Sequence, residues 1–292
     1  MASTFYKKRL LHLAGGGLGV AGVGFVVSRL HFYVGQIDLS RFDVTSWLIM
    51  ALLATVYGMA NVILARAWWQ LLRFCGATIA WPWAVKAYGQ SQLAKYVPGN
   101  IFHLAGRQAL GMAVGLPPIA LAKSAVWELG LLAAAGTLFG LLAMPLAWPS
   151  LSMELAAISF MSVVIMLFLA SRRLLSPMVA SALLWQVVFL AIAGTVFLGA
   201  LQIVVPSGFR FPPLPALCGA YVLGWLAGLV TPGAPAGIGV REMVMLFLLD
   251  GRISDLDLLL TVLLVRIMTV TGDLMYFLAT SVCQQRVRVY AE

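Results

Sequence analysis

Charged residues are scarce in this sequence. Aspartate, glutamate, lysine and arginine make up only 10% of its 292 residues, whereas 62% of the residues are hydrophobic. A chain of this composition has too few charged residues to cover the surface of a water-soluble domain of its size. Apolar runs of about 18 residues or more recur along its whole length, and a helix of that length can cross the hydrocarbon core of a bilayer. We therefore predict a single integral membrane domain.

Cysteine and histidine are also rare, which excludes several kinds of site. The three cysteines, Cys75, Cys218 and Cys283, are odd in number and lack the spacing of a disulfide framework or a zinc site. The three histidines are far apart, and the sequence has no motif of a zinc protease, a P-loop or a serine hydrolase. We therefore expect no metal, no cofactor and no catalytic residues.

The fold class follows from the membrane environment, because lipid-exposed backbone must form its hydrogen bonds internally. We predict an all-α polytopic membrane protein. Lysine and arginine cluster in residues 7–9, 66–123, 172–173 and 286–288, which the positive-inside rule places in the cytoplasm. About six transmembrane helices satisfy this pattern with both termini cytoplasmic, at about 10–28, 46–65, 120–147, 153–171, 176–203 and 256–280. We interpret the first as a span and not as a cleaved signal, because its apolar stretch is too long.

Two segments remain, 67–119 and 213–250, and each has to leave and return on one side of the membrane. Helix-breaking residues interrupt both of them: Pro98, Gly99 and Asn100 in the first, and Pro232, Gly233, Gly237 and Gly239 in the second. Residues 240–250 supply only about 16 Å of helix, against a hydrocarbon core of about 30 Å. We predict two re-entrant helical hairpins. For 67–119, a pair of amphipathic helices lying on the inner leaflet is the alternative.

Two such hairpins would make the chain an inverted repeat. A span, a hairpin and a span occupy about 46–147 and again about 176–280, and the single linking helix 153–171 inverts the second copy. Inverted repeats with broken helices are typical of transporters, whose substrate sites lie at the breaks. Irregular backbone at that depth is tolerated where it lines a cavity, so we expect both breaks to face one central cavity.

Positive charge is expected at both breaks. The helix that follows each break begins with free N–H groups and the positive end of its dipole, and both attract anions. We assign substrate binding to six residues near the breaks: Lys95, Asn100, His103, Arg107, Arg241 and Glu242. Five of these have simpler alternatives. Arg107 and Arg241 only pair with Glu128 or Asp273 to hold helices together. Lys95 extends to the lipid headgroups, Asn100 only caps a helix, or His103 only forms a hydrogen bond within the first helical turn.

Acidic residues in the spans are candidates for two roles. Glu128 lies in the third span, and Asp273 lies in the last, seven residues after Arg266 and on the same helix face. We assign Arg266 to the same group of candidate site residues. These acids either bind protons that drive transport or serve as counter-ions of the arginines, and we favour the second role. Glu242 cannot face its neighbour Arg241 on one helix, so we expect its partner on another element.

Two stretches carry a family resemblance. KYVPGNIFHLAGRQALG (95–111) and PGAPAGIGVREMVMLFLL (232–249) resemble the two signature regions of the lysylphosphatidylglycerol synthase transmembrane family, also called the flippase-like domain family, and ARAWWQLLRFCG (65–76) resembles the segment before the first signature. The residues that match the motif positions are Pro98, Gly99, Arg107, Pro232, Gly233, Gly239, Arg241 and Glu242. The resemblance implies a membrane domain that moves an anionic or lipid-linked headgroup between leaflets. Bifunctional members continue into an aminoacyl-transferase domain that this sequence lacks, so we expect the stand-alone membrane domain.

On this basis we expect a flippase for an anionic phospholipid or a polyprenyl-phosphate-linked lipid, working without ATP hydrolysis in the cytoplasmic (inner) membrane of a prokaryote. The alternatives are a membrane-embedded transferase or phosphatase acting on a polyprenyl lipid, and a structural subunit of an envelope assembly. Membrane lipids and the lipid substrate are the expected partners, with no nucleic acid. Association with a second copy or with envelope-biosynthesis enzymes is left open. Four tryptophans near a cytoplasmic boundary are expected to form an interfacial belt: Trp68, Trp69, Trp81 and Trp83.

Overall fold

The structure is a computed structural model that describes residues 42–97, 102–205, 209–231, 237 and 239–282. Within these ranges the regular structure is helical throughout, without β-strands. Five of the helices are long and apolar enough to cross a membrane. The all-α prediction is therefore confirmed, and the chain is an integral multi-pass membrane protein. The predicted first span, 10–28, lies outside the described residues.

Nine α-helices follow one another in the described ranges. They are α1 (Val44–Phe74), α2 (Trp81–Gln92), α3 (Phe102–Ala113), α4 (Pro118–Ala147), α5 (Met153–Leu174), α6 (Pro177–Val204), α7 (Leu214–Val230), α8 (Val240–Leu248) and α9 (Asp255–Val282). A 3-10 turn, Leu93–Tyr96, continues α2. The long helices α1, α4, α5, α6 and α9 coincide with the last five predicted spans. The predicted hairpins correspond to the short helix pairs α2–α3 and α7–α8.

The first of these spans is longer than predicted. The prediction ended it at residue 65 and gave 67–74 to the first hairpin, whereas α1 continues to Phe74. The guanidinium groups of Arg66 and Arg73 lie 4.4 and 4.7 Å from the ring centroid of Trp69, so these charges stack on an aromatic side chain along a regular helix. Charge at a membrane boundary thus does not end the helix.

Local signals set both ends of α1. The Asp43 carboxylate accepts hydrogen bonds from the Ser46 backbone N–H at 2.8 Å and from the Ser46 hydroxyl at 2.6 Å, which makes Asp43 the N-cap. The same hydrogen bonds hold the pKa of the Asp43 carboxyl below its usual value. At the other end Gly76 has a φ of 84°, a left-handed conformation that favours glycine and that stops the helix.

The backbones of α1 and α9 touch at a pair of glycines. A Cβ atom added to Gly272 would lie 2.5 Å from the carbonyl oxygen of Ala54 and 2.8 Å from the nitrogen of Gly58. Small residues at such crossings let membrane helices approach closely. The crossing brings Asn61 of α1 within hydrogen-bonding distance of Asp273 of α9, 3.0 Å apart.

Glycines also hold α7 against its neighbours. A Cβ atom at Gly219 would lie 2.6 Å from the carbonyl oxygen of Phe139 on α4, and one at Gly228 would lie 2.8 Å from the Cα atom of Gly237. Gly237 and Gly239, which flank residue 238, have φ angles of 71° and 85°. Gly237 therefore packs against α7, and both glycines have a backbone conformation that favours glycine.

The helices pack in two matching sets, α1–α4 and α6–α9. Within the first set α1 contacts α2 and α4, α2 contacts α3, and α3 contacts α4; the corresponding pairs in the second set are also in contact. Between the sets, α4 packs on α7 as α9 packs on α2, and α9 packs on α1 as α4 packs on α6. Helices α1 and α6 share the most extensive contact. Each of these contacts of one set therefore has a counterpart in the other.

The linking helix α5 lies at the periphery, against α4 and α6. Its outer face carries large apolar side chains, of which Leu155, Ile158, Met161, Ile165 and Met166 are each more than half exposed. A continuous apolar surface of this kind is rare on proteins in water, and it is the surface that lipid tails solvate. The helix therefore links the two sets along the sequence and faces the bilayer.

The interfacial belt prediction is wrong for two of its four tryptophans. Trp68 and Trp83 are only 2% and 8% exposed, and their rings pack against each other and, for Trp68, against Tyr88. Helix α2 folds onto this face of α1 and covers it. Trp69 and Trp81 remain half-buried and pack edge to face with ring centroids 5.9 Å apart.

Candidate functional site

Seven charged residues lie where the two helix pairs pack against the long helices. We call them the ion cluster: Lys95, Arg107, Glu128, Arg241, Glu242, Arg266 and Asp273. All seven were assigned to the site from the sequence. Five of them are at least nine-tenths buried, and Lys95 and Glu242 are partly buried. Within the described residues six form three ion pairs, which leaves one arginine.

Asp273 of α9 is the centre of the first pair, and its side chain is fully buried. Its Oδ2 atom lies 2.6 Å from Nζ of Lys95 and accepts a hydrogen bond from the Tyr96 hydroxyl at 2.5 Å. Its Oδ1 atom accepts hydrogen bonds from Asn61 at 3.0 Å and Gln92 at 3.4 Å. This carboxylate therefore ties α9 to α1 and to the end of α2. It is a counter-ion, as favoured, but of a lysine and not of an arginine.

Lys95 consequently does not extend to the lipid headgroups, and that alternative is wrong. Its ammonium group contacts the buried carboxylate of Asp273 and lies 5.3 and 6.0 Å from the ring centroids of Tyr96 and Tyr57. The turn that carries it follows α2 directly, so the last residues before the first break are held inward.

The second pair joins α3 to α4. Arg107 Nη1 donates a hydrogen bond to Glu128 Oε1 at 2.9 Å and lies at the same distance from Oε2. The Tyr88 hydroxyl donates to Oε1 at 3.2 Å, and the Arg107 guanidinium lies 4.3 Å from the Tyr88 ring centroid and 5.2 Å from that of Trp68. Gln186 of α6 donates to the Glu128 backbone carbonyl at 3.1 Å. Glu128 thus forms an ion pair with an arginine, the contact that the favoured counter-ion role requires.

The third pair holds the second break. Glu242 Oε1 lies 2.8 Å from Arg266 Nη2 and accepts a hydrogen bond from its Nε at 2.9 Å. Glu242 Oε2 accepts from the backbone N–H of Gly239, the residue that precedes α8, and Arg266 Nη2 donates to the carbonyl of Gly237 at 3.2 Å. The partner of Glu242 thus lies on another helix, as predicted. One ion pair therefore binds the backbone on both sides of residue 238.

Arg241 is the cation that remains. It is 8% exposed and occupies the second position of α8, where backbone N–H groups are free. Among the described residues it forms no ion pair, and its buried Nε atom has no hydrogen-bond partner. Its guanidinium carbon lies 5.7 Å from the ring centroid of Tyr221, which stacks on Phe197 at 4.9 Å. Burying a guanidinium in this way is costly unless an anion compensates it.

Two tyrosines connect Arg241 to the rest of the ion cluster. The charges of Asp273 and Arg241 both interact electrostatically with the hydroxyl groups of Tyr57 and Tyr96. Tyr57 itself is 4% exposed and packs on Phe189 with ring centroids 5.7 Å apart. The ion pair before the first break and the arginine after the second break therefore belong to one polar region.

His103 is the second residue of α3 and lies in its first turn. It lies four residues before Arg107 on α3 and within electrostatic range of both Arg107 and Lys95. Its Nδ1 atom is buried and has no hydrogen-bond partner within the described residues. The hydrogen bond within the first helical turn is therefore absent at this atom, and the ring nitrogen faces a cationic environment.

Five of the predicted site and break residues lie outside the described residues: Pro98, Gly99, Asn100, Pro232 and Gly233. Gly237 and Gly239 are described, and their positive φ angles agree with their assignment as break positions.

Sequence reasoning missed the neutral partners of the charges. They are Tyr57, Asn61, Tyr88, Gln92, Tyr96, Gln186 and Tyr221, which hydrogen-bond or stack with the ion cluster. Asn61 and Gln186 gave a usable signal, because amides inside apolar spans are rare and mark contacts between helices. The tyrosines gave none, since tyrosine is also common at the membrane interface.

Comparison with known proteins does not assign the chain to a family. No protein-family model matches the chain, and no curated protein matches it either. Among the described residues no group of histidine, cysteine, aspartate and glutamate has the arrangement of a metal site.

Proposed function

We propose that the protein is a lipid translocase. It moves an anionic phospholipid or a polyprenyl-phosphate-linked lipid between the leaflets of the cytoplasmic membrane of a prokaryote, without ATP hydrolysis. The resemblance of residues 95–111 and 232–249 to the flippase-like domain family supports this proposal. Three features of the structure support it further: the short helix pairs, the matching helix sets and the uncompensated arginine.

In this proposal α2 with α3, and α7 with α8, are re-entrant hairpins. Helix α3 has 12 residues and α8 has 9, which correspond to about 18 and 13 Å of helix, too short for a hydrocarbon core of about 30 Å. The charged residues of α3 and α8 face the protein, since Arg107 is 3% and Arg241 is 8% exposed. Helices lying on the inner leaflet would keep such charges at the headgroups, so the burial of Arg107 favours a hairpin for the first pair as well.

The matching helix sets support an inverted repeat. Helices α2 and α7 correspond in packing, and each has proline as its second residue, Pro82 or Pro215. Each also carries a tyrosine at its eighth position, and the two tyrosines take the same role: Tyr88 lies over Arg107, and Tyr221 lies over Arg241. The two arginines are thus counterparts in the two sets.

The observation that carries the proposal is the difference between these two arginines. Arg107 has a counter-ion in Glu128 on α4, whereas the corresponding helix of the second set, α9, presents Arg266 instead. Glu242 neutralises Arg266, and Arg241 therefore retains its charge. A buried guanidinium of this kind is suited to a phosphate group, because its planar donors match two phosphate oxygens.

The proposed mechanism follows from these contacts. A lipid headgroup binds with its phosphate at Arg241, beside the free N–H groups at the start of α8, while the acyl or prenyl tails stay in the bilayer. The two helix sets then rock against each other about the long contact between α1 and α6, so that the site opens to the other leaflet. The Arg107–Glu128 pair and the Glu242–Arg266 pair each lie within one set and hold its helices together during this motion, whereas the Lys95–Asp273 pair joins the two sets.

Reconstitution tests the proposal. Purified protein in liposomes is expected to expose an acyl-labelled phosphatidylglycerol of the inner leaflet to a membrane-impermeant quencher, and Arg241→Gln is expected to abolish this exposure. Arg173→Gln is the matched control, because Arg173 is an exposed arginine at the end of α5. Equal rates for wild type and Arg241→Gln would contradict the proposed site.

The same experiment distinguishes the alternatives. A chemically new lipid, detected by mass spectrometry of the vesicle extract, would favour a membrane-embedded transferase or phosphatase. Absence of both lipid movement and lipid turnover would leave a structural subunit of an envelope assembly as the remaining function.

A further inference from the structure

Charge balance within the ion cluster bears on the chemical class of lipid that the site accepts. Its members are four cations, Lys95, Arg107, Arg241 and Arg266, and three anions, Glu128, Glu242 and Asp273. Their formal sum is one positive charge. Charges removed from water are tolerated when they are neutralised, so a headgroup that enters this region is selected by how well it balances the sum.

We infer that the site selects lipids whose headgroup carries one net negative charge, a phosphodiester in preference to a phosphomonoester or a diphosphate. This inference rests on the proposed function and narrows it, since a lipid carrying a terminal phosphate or a diphosphate is then a poor substrate. A phosphodiester keeps one negative charge near neutral pH and reduces the sum of the region to zero. A phosphomonoester carries about 1.5 to 2 negative charges at pH 7 and leaves an excess.

The carboxylate partners of the other three cations explain why the site prefers a headgroup with one negative charge to a headgroup with two. Lys95, Arg107 and Arg266 each lie within 2.6 to 2.9 Å of a carboxylate oxygen. A second negative charge on the headgroup would have to displace one of these carboxylates, and removing one partner of a buried ion pair is strongly unfavourable. Arg241, with an unpaired Nε, is the cation that binds an anion without such a displacement.

A neutral or zwitterionic headgroup is disfavoured for the opposite reason. A zwitterionic headgroup brings a cationic group together with its phosphate, so the region keeps one net positive charge in the bound state. Phosphatidylcholine therefore gains less from the site than phosphatidylglycerol does.

Competing lipids in one reconstituted system test the inference. Vesicles of unlabelled phosphatidylcholine at pH 8 contain the protein and a trace of acyl-labelled phosphatidylglycerol, phosphatidic acid or phosphatidylcholine. Phosphatidylglycerol is expected to move about tenfold faster than either of the other two, because an unbalanced unit charge several ångströms away changes the binding free energy by about 2.3 RT or more. Equal rates for phosphatidylglycerol and phosphatidic acid would overturn the inference and leave the proposed function standing. Movement of none of the three would contradict the proposed function itself.

Variants that change the sum by one charge provide the sharper test. Glu128→Gln raises the sum to two positive charges and frees Arg107, so the preference is expected to shift towards phosphatidic acid. The double variant Arg107→Gln with Glu128→Gln removes the whole pair and keeps the sum at one, so it is expected to retain the wild-type ratio. Arg173→Gln, outside the ion cluster, controls for total charge. An unchanged ratio in Glu128→Gln, or the same shift in the double variant, would overturn the inference.

A binding measurement on the wild type keeps the test independent of variant folding. Short-chain dihexanoyl phosphatidylglycerol and dihexanoyl phosphatidic acid are titrated into the detergent-solubilised protein by calorimetry at pH 8. The phosphodiester is expected to bind about tenfold more tightly. Tighter binding of the phosphomonoester would refute selection by charge balance.

Discussion

The ion pair between Lys95 and Asp273 allows a quantitative prediction. The Asp273 side chain is fully buried, the Lys95 side chain is 21% exposed, and Nζ and Oδ2 are 2.6 Å apart. Two unit charges at this distance attract each other by about 6 kcal/mol at an effective dielectric constant of about 20. Loss of hydration offsets much of this attraction, so the net effect of the pair is best measured by removing each partner in turn.

Each single substitution is expected to destabilise the protein. Asp273→Asn leaves the Lys95 ammonium without a counter-ion, and Lys95→Met leaves the Asp273 carboxylate with only neutral donors. Breaking a buried pair costs about 3–5 kcal/mol, and we expect about 3 kcal/mol for either change because Lys95 is partly exposed. The double variant should lose about 2 kcal/mol less than the sum of the two single changes.

The free energy of unfolding is measured by denaturant titration in mixed micelles, followed by circular dichroism. Lys123→Met, at an exposed lysine of α4, is the control and should change stability by less than about 0.5 kcal/mol. Additivity of the two single changes within about 0.5 kcal/mol would refute the coupling that the short contact implies.

Three further predictions use the same unfolding titration. Gly272→Ala should cost about 1–3 kcal/mol because its Cβ would meet the α1 backbone, whereas Gly130→Ala, with no atom within 4 Å of its Cβ, should be neutral or up to about 1 kcal/mol stabilising. Arg241→Gln should preserve or raise stability, since it removes an uncompensated charge, whereas Arg107→Gln should cost about 3 kcal/mol; equal losses would contradict the difference between them. Gly239→Ala should cost about 1–2 kcal/mol through backbone strain alone, and an unchanged stability would argue against its φ of 85°.

The charged residues of the site were predictable because charge inside an apolar span is costly. Glu128, Arg266 and Asp273 stand out in the sequence for this reason alone, and the structure pairs all three. The choice of partner was not predictable. It depends on how the short helices fold back onto the long ones, which is why Asp273 pairs with Lys95 and not with an arginine.

The limits of the long helices were predictable to within a few residues, except at the end of α1. Hydropathy marks the apolar middle of a span, but Arg66 and Arg73 hide the last two turns of this helix, because hydropathy does not register their stacking on Trp69, three and four residues away on the same helix. The burial of Trp68 was hidden for a different reason, because only the placement of α2 decides whether a tryptophan faces lipid or protein.

Helix α9 contacts residues beside both breaks. Arg266 binds the carbonyl of Gly237 and the carboxylate of Glu242 at the second break. Asp273, about 10 Å further along the same helix, binds Lys95 just before the first break. A helix resists compression along its axis, so a shift of α9 along that axis moves the contacts of Arg266 and Asp273 by the same distance. Lys95 beside the first break therefore moves together with Gly237 and Glu242 beside the second.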